Sequence, residues 1–324
     1  MARGVPVYNQ SMSPAERFSW IARDAASVRV RDLANKVAGV STTLLITGES
    51  GSGKDHLARY IHETGPRRDA PFLKIDCASL PPALVESELF GHERGAFTGA
   101  VDRKLGRLEL GGAGTIVLDE VAALSSNAQT KLLRVLQERS FERLGGTETL
   151  QIEARIVALT NADLSAAVQA GRFREDLFFR LNVLPLGIPP LRERPADIPA
   201  LSELFLGALR LVHGQPNLKL GAASLKLFGS YAWPGNIREL RNVLERAVVF
   251  SRGAELTPDD FPEGIRAAAG GKAVYSGLRS LEDVERDVIA QTLEATRYHI
   301  SQAAGILGIS RKTLLEKRKK YGLR

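Results

Sequence analysis

Apolar and polar positions divide the first part of the chain into short strand-like runs separated by helical stretches. The strand-like runs are residues 43–47, 72–76, 115–118 and 155–159. Between them, stretches such as 55–62 and 128–138 repeat apolar residues at every third or fourth position, the period of a helix with one buried face. Strands that alternate with helices predict a parallel sheet with helices on both faces.

The pattern changes after about Leu191, where strand-like runs disappear and helical patterns continue. These helical patterns are residues 196–212, 222–231 and 236–250, which predict a helical lid after the α/β core. Small residues dominate 266–277 and favour a linker. The first fifteen residues are polar, and we expect no sensory or phosphoacceptor domain there. We expect a tail, an α/β subdomain, a lid, a linker and a small all-α domain at residues 1–15, 16–190, 191–265, 266–279 and 280–324.

The composition is that of a globular protein. Of 324 residues, 44% are hydrophobic and 25% charged, and no apolar run approaches the roughly 20 residues that a membrane-spanning helix needs. The first residues lack the apolar stretch of a signal peptide. Cys77 is the single cysteine and has no partner for an internal disulfide, which favours a reducing cytoplasm. We expect Cys77 to be a small buried residue after a strand rather than a nucleophile.

The positive charge is concentrated at the end of the chain. Residues 297–324 contain eight basic residues and one acid, Glu316, so this stretch carries the whole formal net charge of +7. The remaining residues sum to zero. A basic segment on a neutral body predicts a polyanionic partner, such as DNA, for that end of the chain.

Residues 48–54 carry the strongest local signal. They read Gly-Glu-Ser-Gly-Ser-Gly-Lys and stand between a strand-like run and a helical pattern, the context that a phosphate-binding loop requires. Asp55 replaces the Ser or Thr that ligates Mg²⁺ in the general motif. It either acts on the metal through water or favours the helix N-terminus, and the sequence leaves both roles open. We expect ATP and Mg²⁺ to bind at Gly48, Glu49, Ser50, Gly51, Ser52, Gly53, Lys54 and Asp55.

Two acids end the strand-like run at 115–118. Unpaired buried charge is costly, so Asp119 and Glu120 indicate a functional site. We expect Asp119 to hold Mg²⁺ through its water shell and Glu120 to orient and deprotonate the attacking water. Thr160 and Asn161 follow another buried strand and are placed to sense a γ-phosphate or to position water.

Residues 86–100 have the sequence ESELFGHERGAFTGA. This segment resembles the central AAA+ domain of the sigma-54-dependent activators, the bacterial enhancer-binding proteins. The hexapeptide at 95–100 is close to diagnostic of that family. The resemblance covers roughly residues 17–265 and continues at 173–181, 190–194 and 233–240. It implies a AAA+ P-loop core with a parallel sheet and a helical lid.

The resemblance also implies roles for individual residues. Asp76, where the family often has Asn, would be a switch that contacts Glu120, and Asn161 and Arg238 would be the first and second sensors. Arg174 and Arg180 would be arginine fingers that reach a neighbouring subunit's nucleotide, although these residue types alone favour surface ion pairs. The resemblance assigns contact with sigma-54 to Gly95, Ala96, Phe97, Thr98, Gly99 and Ala100.

The end of the chain has the pattern of a small helical domain. An apolar stripe begins after a predicted cap at Ser280, and two short helices follow across a turn at Gly308. This part resembles the Fis-type helix-turn-helix of the same activators. Ser310 would cap the recognition helix, whose first residues enter the major groove. The expected DNA contacts are Ser310, Arg311, Lys312, Thr313 and Lys317.

Together these features predict a cytoplasmic, ATP-hydrolysing activator of transcription without a membrane partner. The resemblance implies a hexameric ring that binds ATP between subunits, binds enhancer DNA and acts on sigma-54 RNA polymerase through the 95–100 loop. A dimer through the DNA-binding region is a further expectation. The alternative is a DNA-binding repressor or sensor that uses ATP only as a ligand. Glu120 and the 95–100 loop argue against it, and the loop also disfavours a AAA+ remodeller of other substrates.

Overall fold

A computed structural model describes residues 19–251, 253–269, 281–296 and 298–323. It divides into two compact units, one up to Arg266 and one from Ala267 onward, which are described separately. The predicted tail, most of the predicted linker and the predicted cap at Ser280 lie outside the described residues. In the described part of the chain, no helix is long and apolar enough to cross a membrane.

The first unit begins with an α/β subdomain. Its strands are β1 (Leu44–Thr47), β2 (Phe72–Asp76), β3 (Gly91–His92), β4 (Lys104–Leu105), β5 (Thr115–Asp119), β6 (Ser140–Glu142), β7 (Thr149–Gln151), β8 (Arg155–Thr160) and β9 (Leu184–Gly187). Its helices are α1 (Ala25–Ala38), α2 (Lys54–Thr64), α3 (Pro82–Phe90), α4 (Arg107–Leu110), α5 (Ser126–Glu138), α6 (Leu164–Gln169) and α7 (Glu175–Leu181).

Five parallel strands form the central sheet in the order β2-β5-β8-β1-β9. Alternation along β5 explains the layers, because Ile116 and Leu118 join the core that includes α5, whereas Val117 joins the core with α1 and α2. The sheet is therefore covered on both faces, which confirms the predicted fold class. Since all strands are parallel, β1, β2, β5 and β8 bring the residues that follow them to one edge.

Several elements of this subdomain were absent from the prediction, among them α1 and β9. Helix α1 precedes the first predicted strand and packs on α2. Strand β9 contains Pro185, and proline normally argues against a strand because it cannot donate a ladder hydrogen bond. The sheet order resolves the conflict, since β9 is an edge strand that pairs only with β1.

The lid contains α8 (Ile198–Val212), α9 (Ala222–Ser230), α10 (Asn236–Phe250) and α11 (Glu263–Ala269). Its core includes Phe228 and the fully buried Trp233, whose indole Nε1 donates to the Phe228 carbonyl at 2.8 Å. The expectation that strands end at Leu191 was wrong. Strands β10 (Lys219–Leu220) and β11 (Glu255–Leu256) pair in parallel, but two residues are too short to show an alternating pattern.

The second unit contains α12 (Leu281–Ala295), α13 (Ile300–Leu307) and α14 (Arg311–Lys320). Ile289, Ala304 and Leu314 contribute to its small buried core. Helix α13 ends at Gly308, whose φ of 66° requires the left-handed conformation that glycine adopts at low cost. On α12 the core takes Ile289, whereas the neighbouring Val288 is 41% exposed.

Candidate functional sites

The phosphate-binding loop joins β1 to α2 and is held open by glycine. Gly51 has a φ of 76°, and a Cβ atom there would lie 2.4 Å from the Gly235 carbonyl oxygen of the lid. A side chain at this position would therefore be strained and would push the lid away. Beside the loop lies a cavity of about 380 Å³ whose lining includes Trp20, Gly53 and Lys54.

Lys54 lies at the start of α2 and is buried with its charged end toward the loop. Its Nζ donates to the carbonyl oxygens of Gly48 at 2.9 Å and Glu49 at 3.3 Å, and lies 3.9 Å from Glu120 Oε1. Burial lowers the pKa of Lys54, although the carboxylates of Glu120, Asp119 and Asp55 oppose that shift. A buried ammonium held by only two carbonyls is suited to bind phosphate oxygens.

The acids after β5 and the polar residue after β8 meet at the same edge of the sheet. Glu120 has a φ of 51°, a strained conformation for a residue with a side chain. Its Oε2 accepts a hydrogen bond from the Asn161 backbone nitrogen at 3.2 Å. Asp119 lies beside it, and both acids line the cavity together with Lys54. The structure thus brings Lys54, Asp119, Glu120 and Asn161 together.

A lysine that the sequence analysis missed lies between two of the predicted site residues. Lys74 Nζ is 2.6 Å from Asp55 Oδ1 and 2.7 Å from Asp119 Oδ2. Burial alone would lower the pKa of Lys74, but the hydrogen bonds to Asp119 and Asp55 outweigh it, so the pKa is raised. No motif spacing could have identified Lys74, because its position depends on β2 lying next to β5.

The same contacts test whether the site suits Mg²⁺. Carboxylate oxygens are the donors that Mg²⁺ prefers, and those of Asp55 and Asp119 are close enough for one cation to touch both. Among the described residues, no group of three or more His, Cys, Asp or Glu side chains could hold a metal by itself. The two carboxylates therefore fit a metal that takes its other ligands from phosphate and water.

Asp76 was expected to contact Glu120, and in this structure it does not. Its Oδ1 instead accepts hydrogen bonds from the backbone nitrogens of Ala78 at 3.0 Å and Ser79 at 3.1 Å. A short acidic side chain at a strand end can close such a turn on its own backbone. The role of Asp76 as a switch remains a prediction.

Residues of the lid reach the phosphate-binding loop. Arg238 Nη1 donates to Ser50 Oγ at 2.9 Å, which places this predicted sensor at the nucleotide site. The buried Asn236 was missed, and its Nδ2 donates to Glu49 Oε2 at 3.0 Å and to the Ser50 carbonyl at 3.1 Å. Hydrogen bonds from Arg192 and Asn236 lower the pKa of Glu49. These contacts connect the lid to the loop that would hold the phosphates.

The 95–100 loop stands away from the protein body at both of its glycines. Gly95 and Gly99 have φ values of 83° and 104°, and a Cβ atom on either would meet nothing within 4 Å. Phe97 is 42% exposed, and its ring contacts the buried His92 ring at a centroid distance of 5.0 Å. The loop therefore holds its phenylalanine partly covered, while Thr98 is exposed.

Comparisons with known protein families match almost the whole described chain. Residues 20–187 match the Sigma-54 interaction domain, 192–275 the AAA+ ATPase lid domain, and 280–321 the bacterial regulatory protein, Fis family. The chain belongs to the sigma-54-dependent activators. The resemblance stated from the sequence is thereby confirmed, together with a nucleotide-binding AAA+ domain and a Fis-type helix-turn-helix.

Individual relatives agree with this assignment. The transcriptional regulatory protein FlbD of Caulobacter vibrioides is 42% identical over 317 residues, which cover 93% of this chain and 70% of that protein. The regulatory protein AtoC of Escherichia coli is 44% identical over 89% of this chain and 64% of its own length. NtrX from Brucella abortus, solved in complex with ADP, has a TM-score of 0.71 at 33% identity, with 94% of this chain and 69% of that chain covered. The activator chain therefore spans about two thirds of these relatives.

The two arginines expected to act as fingers differ in their surroundings. Arg174 pairs with Asp176 at 2.7 Å, the exposed ion pair that the residue types alone favour. Arg180 instead donates through Nε and Nη2 to the Leu136 carbonyl oxygen at 3.1 and 2.9 Å. It has no carboxylate within 4.0 Å among the described residues. Arg180 is thus an exposed cation in this activator, held by a helix end rather than by an acid.

The expected DNA contacts lie on and before α14. Ser310 Oγ accepts from the Thr313 backbone nitrogen at 3.1 Å and caps this helix. Arg311 and Lys312 are exposed, and the described residues offer neither a carboxylate partner. Lys317 Nζ donates to Glu285 Oε1 on α12 at 2.5 Å, which the sequence analysis did not foresee. Within this unit, Lys317 serves the packing of α14 on α12.

Proposed function

We propose that this chain hydrolyses ATP with Mg²⁺ in a ring of subunits and uses the 95–100 loop to remodel a sigma-54 RNA polymerase complex at a promoter. The single observation that carries the proposal is the convergence of Lys54, Asp119 and Glu120 on one cavity beside the phosphate-binding loop, where the Asn161 backbone nitrogen donates to Glu120. A protein that only senses ATP needs the lysine and the loop, but it does not need an acid placed to act on water.

Each of these residues has a distinct task. Lys54 binds the β and γ phosphates, and its Nζ lies 3.9 Å from Glu120 Oε1. Glu120 takes a proton from the attacking water, while the Asn161 backbone nitrogen fixes the orientation of its carboxylate. Asp119 holds the water shell of Mg²⁺, which supplies positive charge to the phosphates. Arg238 approaches the nucleotide from the lid, so the position of the lid depends on which nucleotide is bound.

Arg180 acts on the nucleotide of another subunit. The Leu136 carbonyl that it binds lies near the end of α5, about 15 Å along the helix from Ser126. At that end Arg139 Nη2 donates to the Ala154 carbonyl, just before β8 begins, whereas Asn161 follows the other end of β8. Arg180 does not line the cavity that contains its own Lys54, which supports a role on a different subunit's nucleotide. Stacking subunits in a ring gives this guanidinium a nucleotide to act on.

The 95–100 loop and the Fis-type domain bind different partners. The 95–100 loop presents Phe97 and Thr98 to sigma-54, with glycines at both ends that let the loop change conformation. Arg311 and Lys312 at the start of α14 contact enhancer DNA, where the positive charge of residues 297–324 is concentrated. The Fis-type domain also makes a dimer that places two such helices on DNA. A cytoplasmic location is consistent with these partners.

ATP turnover by the purified protein tests the proposal. Lys54→Ala should lose ATP binding, whereas Glu120→Gln should bind ATP and turn it over at least 100-fold more slowly, because only the base is removed. Glu138→Gln, an exposed acid on α5, is the matched control and should behave as the parent. Binding without turnover by the parent protein would instead establish the ATP-sensing repressor.

A mixing experiment tests the role of Arg180. Lys54→Ala and Arg180→Ala proteins should each be inactive alone, and their mixture should recover part of the activity because some interfaces join an intact site to an intact arginine. Arg134 is an exposed arginine of α5, so Arg134→Ala serves as the control. It should hydrolyse ATP at the parent rate without being mixed with a second variant. Activity per subunit should also fall on dilution below the assembly range. No recovery in mixtures that demonstrably form mixed rings would assign Arg180 to its own subunit.

A further inference from the structure

Lys74 lies on strand β2, but its side chain pairs with two carboxylates that belong to other elements. It extends from β2 to the end of β5 and contacts Asp55 and Asp119, one carboxylate from the phosphate-binding helix and one from the strand end. A surface ion pair needs one partner, and such pairs stabilise a fold by well under about 1 kcal/mol. Lys74 has two partners, and both belong to the position where the nucleotide's metal is expected.

The two lysines of the site have separate partners. Lys54 Nζ is hydrogen-bonded to the carbonyl oxygens of Gly48 and Glu49 and stays 3.9 Å from Glu120. Lys74 Nζ is 2.6 and 2.7 Å from its two carboxylate oxygens, so it fills the space between them. Mg²⁺ binds oxygen at about 2.0–2.1 Å and keeps a shell of water, so it cannot share that space with an ammonium group.

We propose that Lys74 is a tethered counter-cation of the metal position, which neutralises Asp55 and Asp119 in the nucleotide-free protein and is displaced when Mg²⁺ arrives. Lys74 thereby sets the Mg²⁺ concentration at which nucleotide binds. Its side chain is 36% exposed and Asp55 is 54% exposed, so a flexible four-carbon stem can swing toward solvent without unpacking the core. The inference rests on the nucleotide site of the proposed function and adds a residue that regulates metal entry.

Binding of ADP, which is not turned over, tests the idea on the whole protein. The affinity for ADP is measured at a series of Mg²⁺ concentrations and in EDTA for the parent and for Lys74→Met. Removing a positive charge a few ångströms from the metal should lower the half-maximal Mg²⁺ concentration by about tenfold or more. The affinity in EDTA should change much less. Lys104→Met is the matched control, since Lys104 pairs with Glu88 at 2.5 Å outside the nucleotide site and its loss should leave both values unchanged.

A second readout needs no nucleotide. The thermal unfolding midpoint of Lys74→Met should rise on addition of Mg²⁺ more than that of the parent, because the unneutralised Asp55 and Asp119 then gain a cation. Lys74→Arg keeps the charge and should retain the parent's Mg²⁺ dependence. If Lys74→Met does not fold in metal-free buffer, rescue of its folding by Mg²⁺ supports the proposal and failure of rescue overturns it.

Other results separate this inference from the proposed function. A half-maximal Mg²⁺ concentration within twofold of the parent's would overturn the role of Lys74. An equal loss of ADP affinity with Mg²⁺ and with EDTA would also overturn it, because Lys74 would then bind the nucleotide directly. A parent protein that binds no ADP at any Mg²⁺ concentration would refute the proposed function itself.

Discussion

A substitution of Phe97 should affect function much more than stability, because the Phe97 side chain is only partly buried. The ring is 42% exposed and packs edge-on against the buried His92 ring. Full burial of a phenylalanine side chain contributes about 1.5–3 kcal/mol, so the covered part contributes about 1–1.5 kcal/mol. The aromatic pair adds about 0.5–1 kcal/mol. Phe97→Ala should therefore lower the free energy of unfolding by about 1.5–2.5 kcal/mol.

That cost is below the 3–5 kcal/mol or so that removal of a core phenylalanine produces. For a unit of this size it lowers the unfolding midpoint by about 3–10 °C. ATP turnover, ring assembly and enhancer binding should remain near the parent values, since Phe97 does not line the cavity beside the phosphate-binding loop. Binding to sigma-54 in the presence of ADP and aluminium fluoride should be lost, and so should promoter opening. Thr98→Ala should lose the same two activities with a smaller effect on stability.

The measurements are thermal unfolding, ATP turnover, sigma-54 binding and transcription from a sigma-54 promoter. Phe250→Ala is the matched control, because Phe250 is 71% exposed at the end of α10 and lies outside the loop. Phe250→Ala should leave all four measurements at the parent values. Unfolding of Phe97→Ala at room temperature would show a structural anchor, and normal transcription would remove the loop from the sigma-54 contact. Either result refutes the reasoning.

Three further predictions follow from buried groups and from the second unit. Burial, reinforced by Asp76, Asp119 and Glu120, raises the pKa of Cys77 to about 12, so iodoacetamide at pH 8 should modify it only after denaturation; rapid modification of folded protein would contradict the burial. Burial lowers the pKa of His62 from its ordinary value of 6.5, so its contribution to stability is complete above pH 6.5 and is lost as the pH falls. His62→Gln should flatten the stability profile between about pH 7 and pH 5, and an unchanged slope would exclude His62 as its source. Deletion of residues 279–324 should abolish specific DNA binding and leave ATP turnover nearly intact; salt-sensitive specific binding by the truncated chain would count against the basic segment.

Most of the features that the sequence predicted depend on residues that are adjacent along the chain. The order strand, glycine-rich loop, lysine and helix at 43–62 encodes its own geometry, because backbone amides, φ preferences and the helix end are all local properties. The alternation along 115–118 likewise predicted a buried strand ending in Asp119, since side chains on a strand point alternately to opposite faces. The 95–100 hexapeptide could be recognised from its letters alone.

Contacts between distant segments could not be predicted in this way. The two-residue strands of the lid are too short for a pattern, and Pro185 argued against β9 until the sheet order placed it at an edge. The basic pattern of α14 did not reveal that Lys317 pairs with Glu285 on another helix, and the expected DNA contact of Lys317 stays a prediction. In each case the deciding partner lies many residues away along the chain.

The sequence by itself determined the α/β core, the nucleotide loop, the acids that follow β5 and the family. Only the tertiary structure decided that Lys74 meets Asp55 and Asp119, and that Arg180 binds the Leu136 carbonyl rather than an acid. The physical reason is the crossover connection. Parallel strands are joined through helices, so neighbours in the sheet are not neighbours in the chain, and the order β2-β5-β8-β1-β9 is set by packing on both faces.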